Sequence, residues 1–322
     1  MNKKMGLVLC ITGIILIGIG IFLEIMKKEN QIVISNNEEE IVNTDYILNN
    51  SLIKKIHKHE NYLISPYSIS IALNMLRDGS NNQSREQIDN VLQNKKINDL
   101  SIENKLNIAN GLFVKNDYKN LVLNSYYNKI KKDYHGDIVY DDFQTPEVIN
   151  SWVSEKTKGM IPGLLQTVPP RFVLAIVNAL ALDIKWQDKF DCKSTRSEPF
   201  TKMDGSKIDV EMMRASYAFS DYKYINEDDL KGIILPYEKI EGNNTQLEFI
   251  GLMPKDIDNY ISNLNEKELM DIDKKSKEAS DDIHVYLSLP RFTYDYNFED
   301  FKNALIDMGI TDVFDEKKSK FK

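Results

Sequence analysis

Three observations on the 322-residue sequence predict a mixed α+β fold. Helical and strand-like segments follow one another in irregular order, not as a repeating strand–helix–strand unit. One stretch, Phe172–Trp186, is apolar almost throughout, the pattern of a strand buried on both faces of a large sheet. Hydrophobic residues make up 42% of the chain and aromatics 10%, enough for a substantial core.

Gly6–Leu23 is an uncharged apolar run, with Lys3 and Lys4 before it and Lys27 and Lys28 after it. It is long enough to cross a bilayer. Gly18 and Gly20 make a poor small-x-small cleavage site, so an uncleaved anchor is preferred to a signal peptide. Residues 1–26 are thus expected to be a membrane anchor or signal segment. On this reading the remainder is exported, held at the cell surface or secreted. The polar residues 27–40 read as a linker. No Pro-, Gly- or Ser-rich seam divides residues 41–322, which are read as one domain.

In "NYLISPYSISIALNML", Tyr62–Ile64 is strand-like, Ser65 stands at an N-cap position and Pro66 at the first helical position, where a missing N–H costs nothing. Ile69, Ala72, Leu73 and Leu76 then repeat at the spacing of a buried helical stripe. Ser68, at the edge of that stripe, is the hydroxyl that capping leaves unexplained. Ser84–Leu92 reads as a second helix and Asn107–Lys115 as a strand. Thr145 is expected to cap a helix that starts at Pro146, buries Val148, Ile149, Trp152 and Val153, and stops at Gly159. In the apolar run 172–186, Asn178 is the polar interruption. "GIILPYE", "LEFIGLMP" and "HVYLSLPRFTYDY" read as strands with Pro236, Pro254 and Pro290 at ends or edges. A last helix is expected over Asn297–Met308, stopped by Gly309.

The chemistry that can be excluded narrows the function. A net charge of −8 without a basic stripe argues against nucleic acid. Cys10 and Cys192 cannot build a disulfide framework. No G-x-S-x-G, P-loop or H-E-x-x-H motif occurs. His57, His59, His135 and His284 are scattered, and the first two read as a solvated helix end. The run "DIDKKSKEASDD" reads as a solvated loop or helix face. No enzyme, cofactor or metal is expected.

Together the segments resemble the serpin family from Ile41 onward. "NYLISPYSI" is similar to the family's N-x-x-x-S-P-x-S-I signature. "GSNNQSREQI" resembles its following turn and helix, with Asn82 in place of a glycine, an exchange Asn tolerates by accepting positive φ. "INSWVSEKTKGMI" resembles the helix lying over the main sheet, and "VNALALDIKWQDKF" that sheet's third strand, with Ile184 replacing a glycine. "PFTKMDGSKIDVEMM" and "LSLPRF…F…L…MGITDVF" resemble later segments.

The resemblance implies roles for particular residues. Ser65, Ser68 and Asn178 match a buried polar cluster, the shutter, beneath the point where the main sheet opens. Trp186 and Arg291 match the breach, where strand insertion begins. Family members inhibit serine or cysteine proteases as suicide substrates, by inserting a cleaved reactive loop into the main sheet. After Asp312–Phe314 the family pattern continues with another main-sheet strand, whose histidine closes the shutter, then the reactive loop and closing strands. None of these segments is found within the 322 residues. The polypeptide is therefore expected to be inactive as an inhibitor by itself, and residues 41–322 to be poorly stable for want of the strand beside the third. A membrane-tethered, non-inhibitory binding protein and a decayed reading frame are the alternative readings.

Overall fold

The computed structural model describes residues 6–14, 51–57, 61–92, 102, 105–169, 172–215, 222–241, 247–278, 285–292, 301–315 and 318. They form helices and three sheets, the mixed α+β class expected. The main sheet has the order β1-β4-β2-β3, built from Gly6–Ile14 (β1), Leu106–Lys115 (β2), Asp137–Asp141 (β3) and Phe172–Leu182 (β4). β2 runs antiparallel to β4 and parallel to β3, and β1 runs parallel to β4 along its other edge.

A short helix, α1 (residues 51–56), precedes α2 (Pro66–Gly79). The capping expectation holds: Ser65 is extended at φ −117° and ψ 99°, and its Oγ accepts from the Ser68 N–H at 3.2 Å. α3 covers Asn82–Leu92, beginning two residues before the predicted start, and Asn82 takes the positive φ of 51° that its place in the turn demands. α4 (Asn124–Asp133) packs near β3, and α5 (Glu147–Lys156) near β2.

β4 separates two apolar layers. Leu174, Ile176 and Leu180 belong to the core shared with α2, while Ala175, Val177 and Ala179 belong to the core beneath α5, which holds Ile149 and Val153. This alternation is the period of two that a strand imposes. The strand ends at Leu182, four residues before the predicted Trp186. Gly111 on β2 lets α5 approach the sheet: a Cβ there would lie 2.7 Å from the Phe113 ring and 3.1 Å from that of Trp152.

The second sheet has the order β10-β7-β8-β9, from Lys223–Asn226 (β7), Leu230–Pro236 (β8), Glu248–Pro254 (β9) and Lys277–Glu278 (β10). It shares a separate core with Ile53 of α1 and with α6 (Ile257–Asn263) and α7 (Glu266–Lys275). The third has the order β11-β6-β5, from Arg196–Thr201 (β5), Lys207–Ala215 (β6) and Leu287–Pro290 (β11). Pro236, Pro254 and Pro290 are the last residues of their strands, where a missing N–H costs no ladder bond.

Two expectations change. Thr145 does not cap α5: Pro146 occupies the cap position without a side-chain bond, and the turn before it is held by the Phe143 N–H donating to Asp141 Oδ2 at 2.8 Å. His57 is not on a solvated end, because its ring is largely buried and its Nε2 lies 2.7 Å from Asp258 Oδ1. The charge run is in part the expected helix face: Asp271, Asp273, Lys274 and Lys275 lie on α7, where Asp273 is paired with Lys223 at 2.7 Å. Within the apolar run, Gly6–Ile14 pairs with β4 as a strand of the main sheet, and among the described residues no helix is long and apolar enough to cross a membrane. An apolar backbone segment must satisfy its N–H and C=O groups in either setting, and the exposed ladder of β4 satisfies them here. Residues 15–23 lie outside the described residues, as does the start of the last helix, which is seen as Phe301–Asp307 (α8) and followed by Gly309 at φ 102°.

Candidate functional site

The polar residues singled out in α2 and β4 meet. Ser68, one helical turn after the Ser65 cap, is fully buried and donates from Oγ to Asn178 Oδ1 on β4. Asn178, equally buried, donates from Nδ2 to Asn110 Oδ1 on β2 at 2.7 Å. Asn110 in turn donates to the backbone carbonyl of Tyr134, just past α4, at 2.8 Å. The register makes this possible, because Asn110 and Asn178 are directly opposed across the β2–β4 pair. One polar residue in each of two apolar strands, placed at the same rung, costs little; either alone in that layer would be an unsatisfied amide.

Tyr134 closes the path into a circuit. Its hydroxyl donates to Asp78 Oδ2 at 2.6 Å, and Asp78 sits at the C-terminal end of α2, the helix that carries Ser68 in its first turn. The Asp78 side chain is buried and is also approached by Arg77 at 3.2 Å and Lys129 at 3.3 Å. Burial, the Asp78 hydrogen bond and the Asp78 charge all push the Tyr134 hydroxyl well above its ordinary range, so it remains a donor. Nearby, Tyr126 donates to the Met75 carbonyl at 3.0 Å, and burial holds its hydroxyl protonated too. The two ends of α2 are thereby tied, through hydrogen bonds, to β4, β2 and the end of α4.

The two other predicted residues lie elsewhere. Trp186 forms a bridge with Tyr237, stacks on its ring at 5.0 Å and meets Phe249 edge-on at 5.3 Å, against the second sheet. Arg291 follows β11 on the third sheet, where its backbone N–H donates to the Glu211 carbonyl at 2.7 Å. Their described contacts therefore belong to different sheets.

Sequence reasoning missed Asn110, Tyr134 and Asp78. A signal existed for Asn110, as a polar residue in the middle of "NIANGLFVK". Its partner could not be read without the register.

This arrangement holds and aligns. The circuit contains hydroxyls, amides and one ion-paired carboxylate, all engaged with one another, and no nucleophile beside a base. Among the described residues no group of His, Cys, Asp and Glu is arranged to hold a metal ion. What the circuit can do is lock α2 to the seam between β2 and β4, so that a change at the seam is felt at both ends of the helix.

A family profile described as Serpin (serine protease inhibitor) matches residues 47–322. A serpin-like protein of Methanosarcina mazei is 29% identical over 280 residues, covering 80% of this chain and 62% of the relative. The leukocyte elastase inhibitor of Xenopus tropicalis is 29% identical over 292 residues, covering 82% of this chain and 75% of its own. The native-state crystal structure of the thermophilic serpin tengpin superposes with a TM-score of 0.75 at 28% identity, over 89% of this chain and 75% of tengpin. The chain spans less than two thirds of the length of the archaeal relative. With the profile, the relatives and the superposition in agreement, the chain belongs to the serpin family.

Proposed function

We propose that this protein is a protease inhibitor of the serpin type, directed at serine or cysteine endopeptidases, and that it acts by strand insertion and not by turnover. The observation that carries this reading is the Ser68–Asn178–Asn110 path. It fastens a buried helix to the middle of the main sheet, at the rung where a sheet that admits a strand must let go and re-form. Buried polar groups suit such a seam because they hold one arrangement firmly while they are paired, yet they have a high cost while unpaired, which separates two states by a barrier. The sequence likeness to a leukocyte elastase inhibitor supports the same class of target.

No segment resembling a reactive loop is recognised in the sequence of residues 1–322. The test compares the 322-residue polypeptide with the full product of its gene against a panel of serine and cysteine proteases on denaturing gels. A covalent adduct is expected from the full product and none from residues 1–322. An adduct from the short polypeptide would place the bait inside it, and free cleavage of the full product by every protease would overturn the inhibitor reading. For location, the apolar run Gly6–Leu23 and its flanking lysines support export. A product recovered only from the cytosol would count against it.

A further inference from the structure

We propose that Asp78 is a positioning residue for the buried rung, and that the surface charges competing with it for its cations set how firmly the Asn110–Asn178 pair is held. The coupling belongs to the hydrogen-bonded circuit, whether or not the protein traps proteases.

Asp78 lies in the last turn of α2, a helix buried on nearly every side, and its side chain is 1% exposed. A buried charge is costly unless it is paired and hydrogen-bonded. Groups from α2, α3, α4 and the end of α4 converge on this one. Oδ1 accepts from Arg77 Nε and Nη2, each at 3.2 Å, and lies 3.8 Å from Arg85 Nη2 of α3. Oδ2 lies 3.3 Å from Lys129 Nζ of α4 and accepts from the Tyr134 hydroxyl at 2.6 Å. Tyr134 is also the residue whose backbone carbonyl accepts from Asn110. It is held by Asp78 at its hydroxyl and by the rung at its carbonyl, so a shift of the carboxylate is passed to the acceptor that Asn110 needs.

The cations are shared. Arg77 and Arg85 also pair with Asp89, at 3.6 and 3.7 Å, and Lys129 pairs with Asp133 at 3.2 Å. Asp133 is exposed, and Asp89, Arg85 and Lys129 are partly so. Water solvates the outer carboxylates, whereas Asp78 depends on its partners. A charge change at the surface therefore reaches the rung with a definite sign. Removing a cation leaves Asp78 under-compensated and loosens Tyr134. Removing an outer carboxylate turns its cation toward Asp78 and tightens the same path. An ion pair that served local stability alone would lose on either removal.

Amide hydrogen exchange of the full chain tests this, reading the rung at Ala109–Gly111 and Val177–Ala179 against Ile234 and Ile250 in the separate core of the second sheet. Lys129→Gln is expected to speed exchange at the rung about tenfold. Asp133→Asn is expected to slow it, and the second-sheet amides are expected to keep their rates in both variants. Asp133 also ends α4, where a negative charge is unfavourable in its own right. Asp133→Asn is therefore repeated together with Lys129→Gln, where no cation remains to be redirected and the slowing should vanish. In an Asp78→Asn chain, Lys129→Gln should likewise lose its effect; where that buried substitution disturbs folding, the surface variants carry the test. Equal acceleration at the rung and in the second sheet, or no change at the rung, would overturn the proposal. So would faster exchange in Asp133→Asn, a slowing that persists without Lys129, or a Lys129→Gln effect that survives Asp78→Asn.

Discussion

β4 and the β5–β6 pair are both strands of this molecule, and they are held by opposite means. β4 is buried on both faces, and its one polar side chain is matched rung for rung by Asn110 and from below by Ser68. β5 and β6 lie mostly in solvent, aligned by a turn in which Ser206 donates from N and Oγ to Asp204 Oδ1 and Gly205 takes φ 80°. The comparison teaches where register comes from. In a solvated pair the turn sets it and the side chains follow. In the buried sheet a slip of one residue would strand Asn178 in an apolar layer, so side-chain chemistry sets the register and a change there should be felt throughout the fold.

The largest expected effect is therefore at the buried rung. Asn178→Ala leaves Ser68 and Asn110 each short of a partner, at about 1–3 kcal/mol per group, and adds a cavity. A loss of about 3–5 kcal/mol is expected in urea unfolding of the full chain, with the midpoint moved and the slope unchanged. An effect as small as that of a surface substitution would break the comparison.

Next comes Gly111→Ala, which forces a Cβ against Phe113 and Trp152 and should lift α5 from the sheet. About 1–3 kcal/mol is expected for overpacking of this kind. Trp152→Leu in the same chain should recover part of that loss, because it removes one of the two clashing rings. If the double variant is as unstable as the sum of the two single ones, the close approach is not the cause.

A smaller effect concerns pH at the same helix. Burial alone would raise the Asp137 carboxyl, but hydrogen bonds from Lys156 and Trp152, with the Lys156 charge, outweigh it and hold the group below the usual carboxylate range. A folded-state value below the unfolded one means the contribution is present at neutral pH and down to the ordinary carboxylate value. It is lost as the pH falls further, through the lowered one. The Asp137 side chain is 46% exposed, so about 1 kcal/mol or less is at stake after solvent screening. Asp137→Asn should flatten that part of the stability profile below about pH 4, and an unchanged profile would remove the Lys156–Asp137 pair from the account.

The smallest effect belongs to the solvated pair. Arg214 and Glu198 meet at 2.5 Å across β5 and β6, with the Arg214 side chain 54% exposed. Glu198→Gln should leave the urea midpoint within measurement error, and any difference at low salt should vanish at high salt. A large loss would mean the β5–β6 pair is held by side chains after all.

How much of this could be read in advance differs by region for the same reason. Pro66 after Ser65, the repeat Ile69–Ala72–Leu73–Leu76, and the unbroken run from Phe172 are local patterns, and each became the expected element. β5 and β6 were recognised only as a segment after the third strand, because "EPFTKMDGSKIDVEMM" has weak alternation and its strands are mostly exposed. Thr145 was read as a cap because it precedes Pro146, but a cap needs its oxygen aimed at free N–H groups, and Asp141 had already shaped that turn.

What the sequence by itself determined is the class of the fold, the family, the principal helices and the presence of polar residues where apolar ones were due. Those depend on neighbours within a few positions, or on ordered motifs along the chain. Only the tertiary structure decided what the polar residues meet: Asn110 lies 68 positions from Asn178 and Ser68 lies 110 from it, separations at which no periodicity operates. The same holds for Gly6–Ile14, which the sequence presents as half of an apolar run long enough to cross a bilayer and which the structure pairs with β4. Its apolar side chains and unsatisfied backbone groups demand a dry, hydrogen-bonded setting but do not name one, and it is the exposed ladder of β4, more than 150 residues away, that supplies it.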